Sequence, residues 1–113
     1  MITSSDLRLK ENINSIEKAS EFVYSLKPVE YKMKDGSRKH YGFIAQDVKQ
    51  SLDKIGTDSA LFINPSVKPD WDITDKEEND KEHYLALRYE EFIAPMVKTI
   101  QELNDRIKAL EGK

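Results

Sequence analysis

With 113 residues, of which 38% are hydrophobic and 35% charged, the chain has room for one domain with a modest core, and such a composition favours extra burial through association with other chains. The absence of cysteine excludes a disulfide scaffold, a thiolate metal site and a cysteine nucleophile. A formal net charge of -3 lacks the basic excess of a nucleic-acid binder, no apolar run is long enough to span a bilayer, and the first residues lack the basic and apolar regions of a signal peptide.

After a polar opening, Asn14 and Glu17 have the spacing of an N-cap and its N3 partner, and Ile16, Ala19, Val23 and Leu26 recur at helical intervals. A first helix is expected over about 15–26, ended by Pro28. Val29, Tyr31 and Met33 then alternate with Glu30, Lys32 and Lys34, the period of a strand with one apolar face. Asp35-Gly36 supplies a hairpin turn, and the return strand carries Tyr41 and Phe43 in alternation. Ala45, Val48, Leu52 and Ile55 mark the buried face of a short helix that stops at Gly56, with Gln46 and the macrodipole-favoured Asp47 at its start.

Residues 60–63 form a short apolar run that reads as a strand, and residues 84–89 read as another. Between them, residues 70–82 hold seven acids against two lysines, a local balance of -5 that reads as a loop. Asp70, Asp72 and Asp75 lack the glycine and terminal glutamate of a calcium loop, so no metal is expected there, and His83 reads as structural.

The last element has the strictest pattern. Ile93, Ile100 and Ile107 are spaced by seven, as are Met96, Leu103 and Leu110, which makes them the a and d positions of a heptad seam. Gln101, Asn104 and Lys108 keep the stripe narrow, which favours packing between chains over an amphipathic helix lying on its own domain. Isoleucine at a with leucine at d leans by itself towards two strands, so the pattern alone does not specify a trimer. Pro95 requires the helix either to begin near Glu91 or to kink. The whole reads as an α+β fold: a small mixed domain of short antiparallel strands and helices with a long C-terminal coiled-coil-like helix.

One stretch is dense in chemistry. Within residues 5–13, Ser5, Asp6, Arg8, Lys10 and Asn12 precede the first helix. A serine becomes a nucleophile when a base takes its proton, and a lysine serves as that base once burial or cationic neighbours lower its pKa. Ser5 and Lys10 form such a pair if the chain turns between them; otherwise Ser-Asp simply opens a turn and Lys10 is a solvated cation.

The opening Ser-Asp-x-Arg-x-Lys, then KPVEYKMKDG, then HYGFIAQDV, then YLALRYEEFIAPMVKTIQEL, in that order, resemble the intramolecular chaperone of endosialidase family, the self-cleaving C-terminal domains of phage tail spikes and fibres. The resemblance runs from Ser5 to about Leu110, with residues 70–82 unmatched. It implies a homotrimer built through the C-terminal helix, which drives folding of the upstream spike or fibre part of its own polypeptide and then cuts itself off. The cut would fall at Ser4-Ser5, with Ser5 as nucleophile and Lys10 as general base; Asp6, Arg8 and Asn12 match the motif, and His40 is a possible assistant. Residues 1–4 would then be a remnant of the upstream segment, 5–88 the globular chaperone and 89–113 the trimerisation helix. The resemblance requires no cofactor and no metal, and it implies action in the host cytoplasm during virion assembly. Cleavage would wait for assembly because the Ser5-Lys10 site becomes ordered only in the trimer. The alternative is a trimerisation and attachment module that does not cleave and stays on its fibre.

Overall fold

The fold is described from a computed structural model, which places residues 2–65 and 84–112; the acidic stretch with Asp70, Asp72 and Asp75, and His83, lie outside these described residues. In chain order come a 3-10 turn at Leu7–Leu9, α1 (Ala19–Ser25), β1 (Val29–Lys32), β2 (Lys39–Gly42), α2 (Ala45–Ile55), β3 (Phe62–Ile63), β4 (Ala86–Leu87), a second 3-10 turn at Tyr89–Phe92, and α3 (Ile93–Glu111). This is the expected α+β mixture, with two antiparallel two-stranded sheets among the described residues, β1-β2 and β3-β4.

α1 starts later than its periodicity suggests. Lys18 takes a left-handed conformation at φ 58° immediately before Ala19, and the Asn14 side chain donates to the Asn12 carbonyl at 3.0 Å in place of capping a helix. Ile16 therefore lies in the lead-in, and α1 buries Ala19 and Phe22. Its end is as expected: Leu26 is extended, and a residue before proline, here Lys27, is disfavoured in the helical region.

In the β1-β2 hairpin Val29 pairs with Gly42 and Lys32 with Lys39, so residues 33–38 form the connecting loop. The loop is longer than a two-residue Asp35-Gly36 turn. Instead the Gly36 N–H donates to the Met33 carbonyl at 2.9 Å, which puts Asp35 and Gly36 third and fourth in a turn where Gly36 needs no positive φ. Two further side chains depart from the alternation: Met33 lies past the end of β1 and is exposed, and Tyr41 faces solvent while Phe43, beyond β2, packs on the core.

α2 follows its pattern closely, burying Val48, Ser51 and Leu52. Gly56 at φ 71° closes it: the Gly56 N–H reaches the Asp53 carbonyl and the Thr57 N–H the Leu52 carbonyl, the paired bonds of a left-handed C-cap. The strand expected over 84–89 shortens to Ala86–Leu87; just past it, Arg88 keeps the register by donating its N–H to the Leu61 carbonyl at 2.8 Å and sends its guanidinium to the Ala60 carbonyl at 2.6 Å. The chain then turns directly into α3. Pro95 is the third residue of that helix, where an amide would have no intrahelical partner, so it causes no break.

The core is Phe22, Val48, Leu52, Leu61 and Phe92, with Phe43, Leu87 and others packed at its edge. Phe92, 2% exposed, is its hub: its ring lies 4.9 Å from Phe43 and 6.1 Å from Phe22, centroid to centroid. Truncating it removes contacts from α1, the hairpin exit and α3 at once. Phe92→Ala should lower unfolding free energy by about 3–5 kcal/mol, measured by denaturant titration; a loss below about 1 kcal/mol would mean that the domain is not organised around this ring.

Candidate active site

The opening segment is shaped by bonds within itself. Asp6 is extended and caps the 3-10 turn: its carboxylate accepts from the Arg8 N–H at 2.8 Å, from Arg8 Nε at 3.1 Å and from Arg8 Nη2 at 2.9 Å. The Leu9 and Lys10 amides donate back to the Asp6 and Leu7 carbonyls at 3.0 and 3.1 Å. This turn reverses the chain, and Lys10 reaches back so that Nζ donates to Ser5 Oγ at 2.6 Å. Asn12, at φ 54°, then redirects the chain towards α1, a conformation that asparagine tolerates better than most residues.

Within a single chain the structure places Ser5 and Lys10 in hydrogen-bond contact. What the single chain does not provide is shelter. Ser5 and Lys10 are exposed, and so are Leu7 and Leu9, at 72% and 74%, and Ile13. Such a row of open apolar side chains around a polar pair is a surface that another chain can cover.

Asp6 and Arg8 are committed to each other. Hydrogen bonds from the Arg8 guanidinium, and then from the Arg8 amide, hold the Asp6 carboxyl below the usual carboxylate range, and the same pairing raises the Arg8 pKa. A carboxylate so occupied is a poor proton acceptor for Ser5, which leaves Lys10 as the basic group in contact with the hydroxyl. His40 lies elsewhere: it is exposed on β2 with its ring stacked on Tyr31 at 5.4 Å, and among the described residues no hydrogen bond joins it to Ser5 or Lys10.

Residues 5–57, from the first motif through the Gly56 cap, match the family model described as chaperone of endosialidase. The match covers 53 of the 113 residues, and over them the chain is similar to that family. That family comprises intramolecular chaperones that act on their own chain as peptidases. The match contains Ser5, Asp6, Arg8, Lys10, Asn12 and His40, while α3 lies beyond it. Comparison with curated proteins and with solved structures gave no match. Among the described residues no helix is long and apolar enough to cross a membrane.

One residue that pattern reading passes over stands beside the second motif. Tyr89 Oη accepts the Phe43 N–H at 3.1 Å and donates to the Phe43 carbonyl at 3.3 Å. The available signal was Gly42 in Tyr41-Gly42-Phe43: a Cβ there would lie 2.5 Å from Tyr89 Oη.

The Asp6-Arg8 turn carries a pH signature. Its folded form depresses the Asp6 pKa, so the turn is favoured above the ordinary carboxylate range and is lost as pH falls through the lowered value. An NMR titration of the Asp6 carboxyl carbon and the Arg8 amide should show both moving together below the ordinary range. Asp6→Asn should keep the amide cap and abolish the transition, whereas Asp6 titrating at an ordinary value would show that the pairing does not form in solution.

Proposed function

We propose that this chain is a self-releasing intramolecular chaperone that trimerises through α3, assists folding of an upstream fibre or spike segment of its own polypeptide in phage assembly, and then cuts the Ser4-Ser5 bond. The observation that carries this reading is the 2.6 Å contact between Lys10 Nζ and Ser5 Oγ, within the family-matched segment and next to the bond to be cut.

In the proposed reaction, Lys10 in its neutral form takes the proton of Ser5 Oγ as the oxygen attacks the Ser4 carbonyl carbon. The same proton passes to the Ser5 nitrogen as the C–N bond breaks, leaving an ester between Ser4 and Ser5 Oγ and a free Ser5 amine. Water then attacks the ester, giving one proton through Lys10 to the departing Oγ and the other to solvent, and leaving a carboxylate on Ser4. Asp6 and Arg8 hold the turn, Asn12 directs the chain onward, and His40 is an assistant whose part a His40→Ala variant measures.

Support for assembly comes from how α3 is used. The helix and the turn before it bury Thr99 and Phe92 and partly cover Pro95, Lys98 and Glu102, whereas Ile93, Met96, Ile100, Leu103, Ile107 and Leu110 are left 38–66% exposed. The two faces differ because the c and g positions that meet the domain are centred about 110° round the helix from the a and d stripe. Three seams closing on one another would bury this stripe and bring three upstream chains to high effective concentration in register. Fibres rich in contacts between distant residues and between chains fold slowly, so such pre-assembly removes a large entropic barrier. Removal of the chaperone afterwards leaves a product protected by a kinetic barrier. A neighbouring chain over Leu7, Leu9 and Ile13 would supply the desolvation that a lysine base needs.

The test is a time course of the domain with a natural upstream segment, followed by intact mass and light scattering. The wild type should trimerise and yield a fragment starting at Ser5. Ser5→Ala and Lys10→Ala should trimerise and slow the cut by about 100-fold or more. Ile100→Asp with Leu103→Asp should give monomers that remain uncut. A wild-type trimer that stays intact would leave a permanent attachment module, and monomers that cut at the wild-type rate would remove assembly from the mechanism.

A further inference from the structure

The β1-β2 hairpin gains no third strand among the described residues, so its orientation depends on how its exit is fastened to the body. That exit is Phe43, one residue past the end of β2, where the ladder no longer supplies partners for its backbone. Tyr89 takes over both groups with one hydroxyl, at 3.1 Å from the Phe43 nitrogen and 3.3 Å from its oxygen, and its ring stacks on Phe43 at 6.1 Å. Tyr89 is also the first residue of the 3-10 turn that runs without interruption into α3.

We propose that Tyr89 is a positioning residue which clamps the hairpin, and with it the Tyr41-Gly42-Phe43 motif, to the root of α3, the helix that carries the heptad seam. Gly42 is the other half of the clamp. A Cβ at that position would stand 2.5 Å from Tyr89 Oη but 3.3 Å from Tyr89 Cζ and 3.3 Å from Tyr31 Cε1, so the hydroxyl oxygen is the one atom that a methyl group cannot share space with. Glycine is required here because the tyrosine must approach this backbone, and its φ is not in the left-handed region. The consequence is that the hairpin and its exposed His40 and Tyr41 keep a fixed angle to α3 and arrive in a defined place when helices associate through that seam. The clamp itself stands on the geometry alone; its effect on the cut rests on the self-cleaving reading.

The experiment is a double-mutant cycle of Gly42→Ala and Tyr89→Phe in the full chain with its natural upstream segment, read by amide hydrogen exchange at Phe43, by thermal melting and by cutting rate. Tyr89→Phe keeps both ring contacts, so it should melt close to wild type and still trimerise, while the Phe43 amide exchanges about 10-fold faster and the cut slows several-fold. Gly42→Ala should be worse than Tyr89→Phe on both exchange and cutting, because the methyl group drives the whole tyrosine away. The combined variant should recover to the level of Tyr89→Phe, since the oxygen that collides is gone. A purely structural role for Gly42 would make the two defects add, and additive defects overturn the clamp, as would a Phe43 amide indifferent to Tyr89→Phe. If the wild type does not cut, the self-cleaving reading fails while the exchange cycle still decides the clamp.

Discussion

The stacking of aromatic rings about Phe92 holds together parts of the chain that have little else in common. Phe22 brings α1, Phe43 the hairpin exit, and Tyr89 and Phe92 the turn that opens α3, with centroids between 4.9 and 6.1 Å. Rings at such separations combine a large apolar area with a preferred offset geometry. In a domain whose buried apolar side chains are few, the directional part matters as much as the area, because it fixes angles between elements that share little surface. Ser51 adds a smaller tie from α2 to the Ser25 carbonyl at 3.4 Å, at the foot of α1.

The limited core and the open apolar surfaces are two sides of one design. A chain with 38% hydrophobic residues would ordinarily hide more of its isoleucines and leucines than this one does. Most of the exposed ones fall in two groups, the a and d stripe of α3 and Leu7, Leu9 and Ile13 of the opening segment, with Ile2, Ile16 and Ile44 outside them. Contiguous apolar surface of this kind marks a site of association. Burial withheld from the monomer is burial that assembly can supply, which would tie stability to the oligomer and suits the trimer proposed for this domain.

Legibility in the sequence followed the range of the interactions concerned. The α2 face, the Gly56 stop, the β1 start and the heptad of α3 were readable because each is a periodic or local signal, and the motif Ser5-Asp6-x-Arg8-x-Lys10 was readable as a candidate pair. The start of α1 was misplaced because Asn14 spends its side chain on the Asn12 carbonyl, a local alternative to capping that spacing does not reveal. Tyr41 and Phe43 look equivalent by alternation, yet only Phe43 meets the core, since the strand ends between them. Tyr89 was invisible for a different reason: it lies 46 residues from Phe43, and nothing periodic announces a contact at that separation.

Locality also changes where control of the proposed reaction must reside. The turn that joins Ser5 to Lys10 is built from Asp6, Arg8 and backbone groups within the same few residues, with no bond to the rest of the domain in that set. Geometry of that kind draws on no group of another chain, so it does not itself report assembly. The charge state of an amine responds to burial instead, because a low-dielectric surrounding disfavours the ammonium form. On the proposed reading, then, the folded chain supplies alignment and the trimer supplies desolvation.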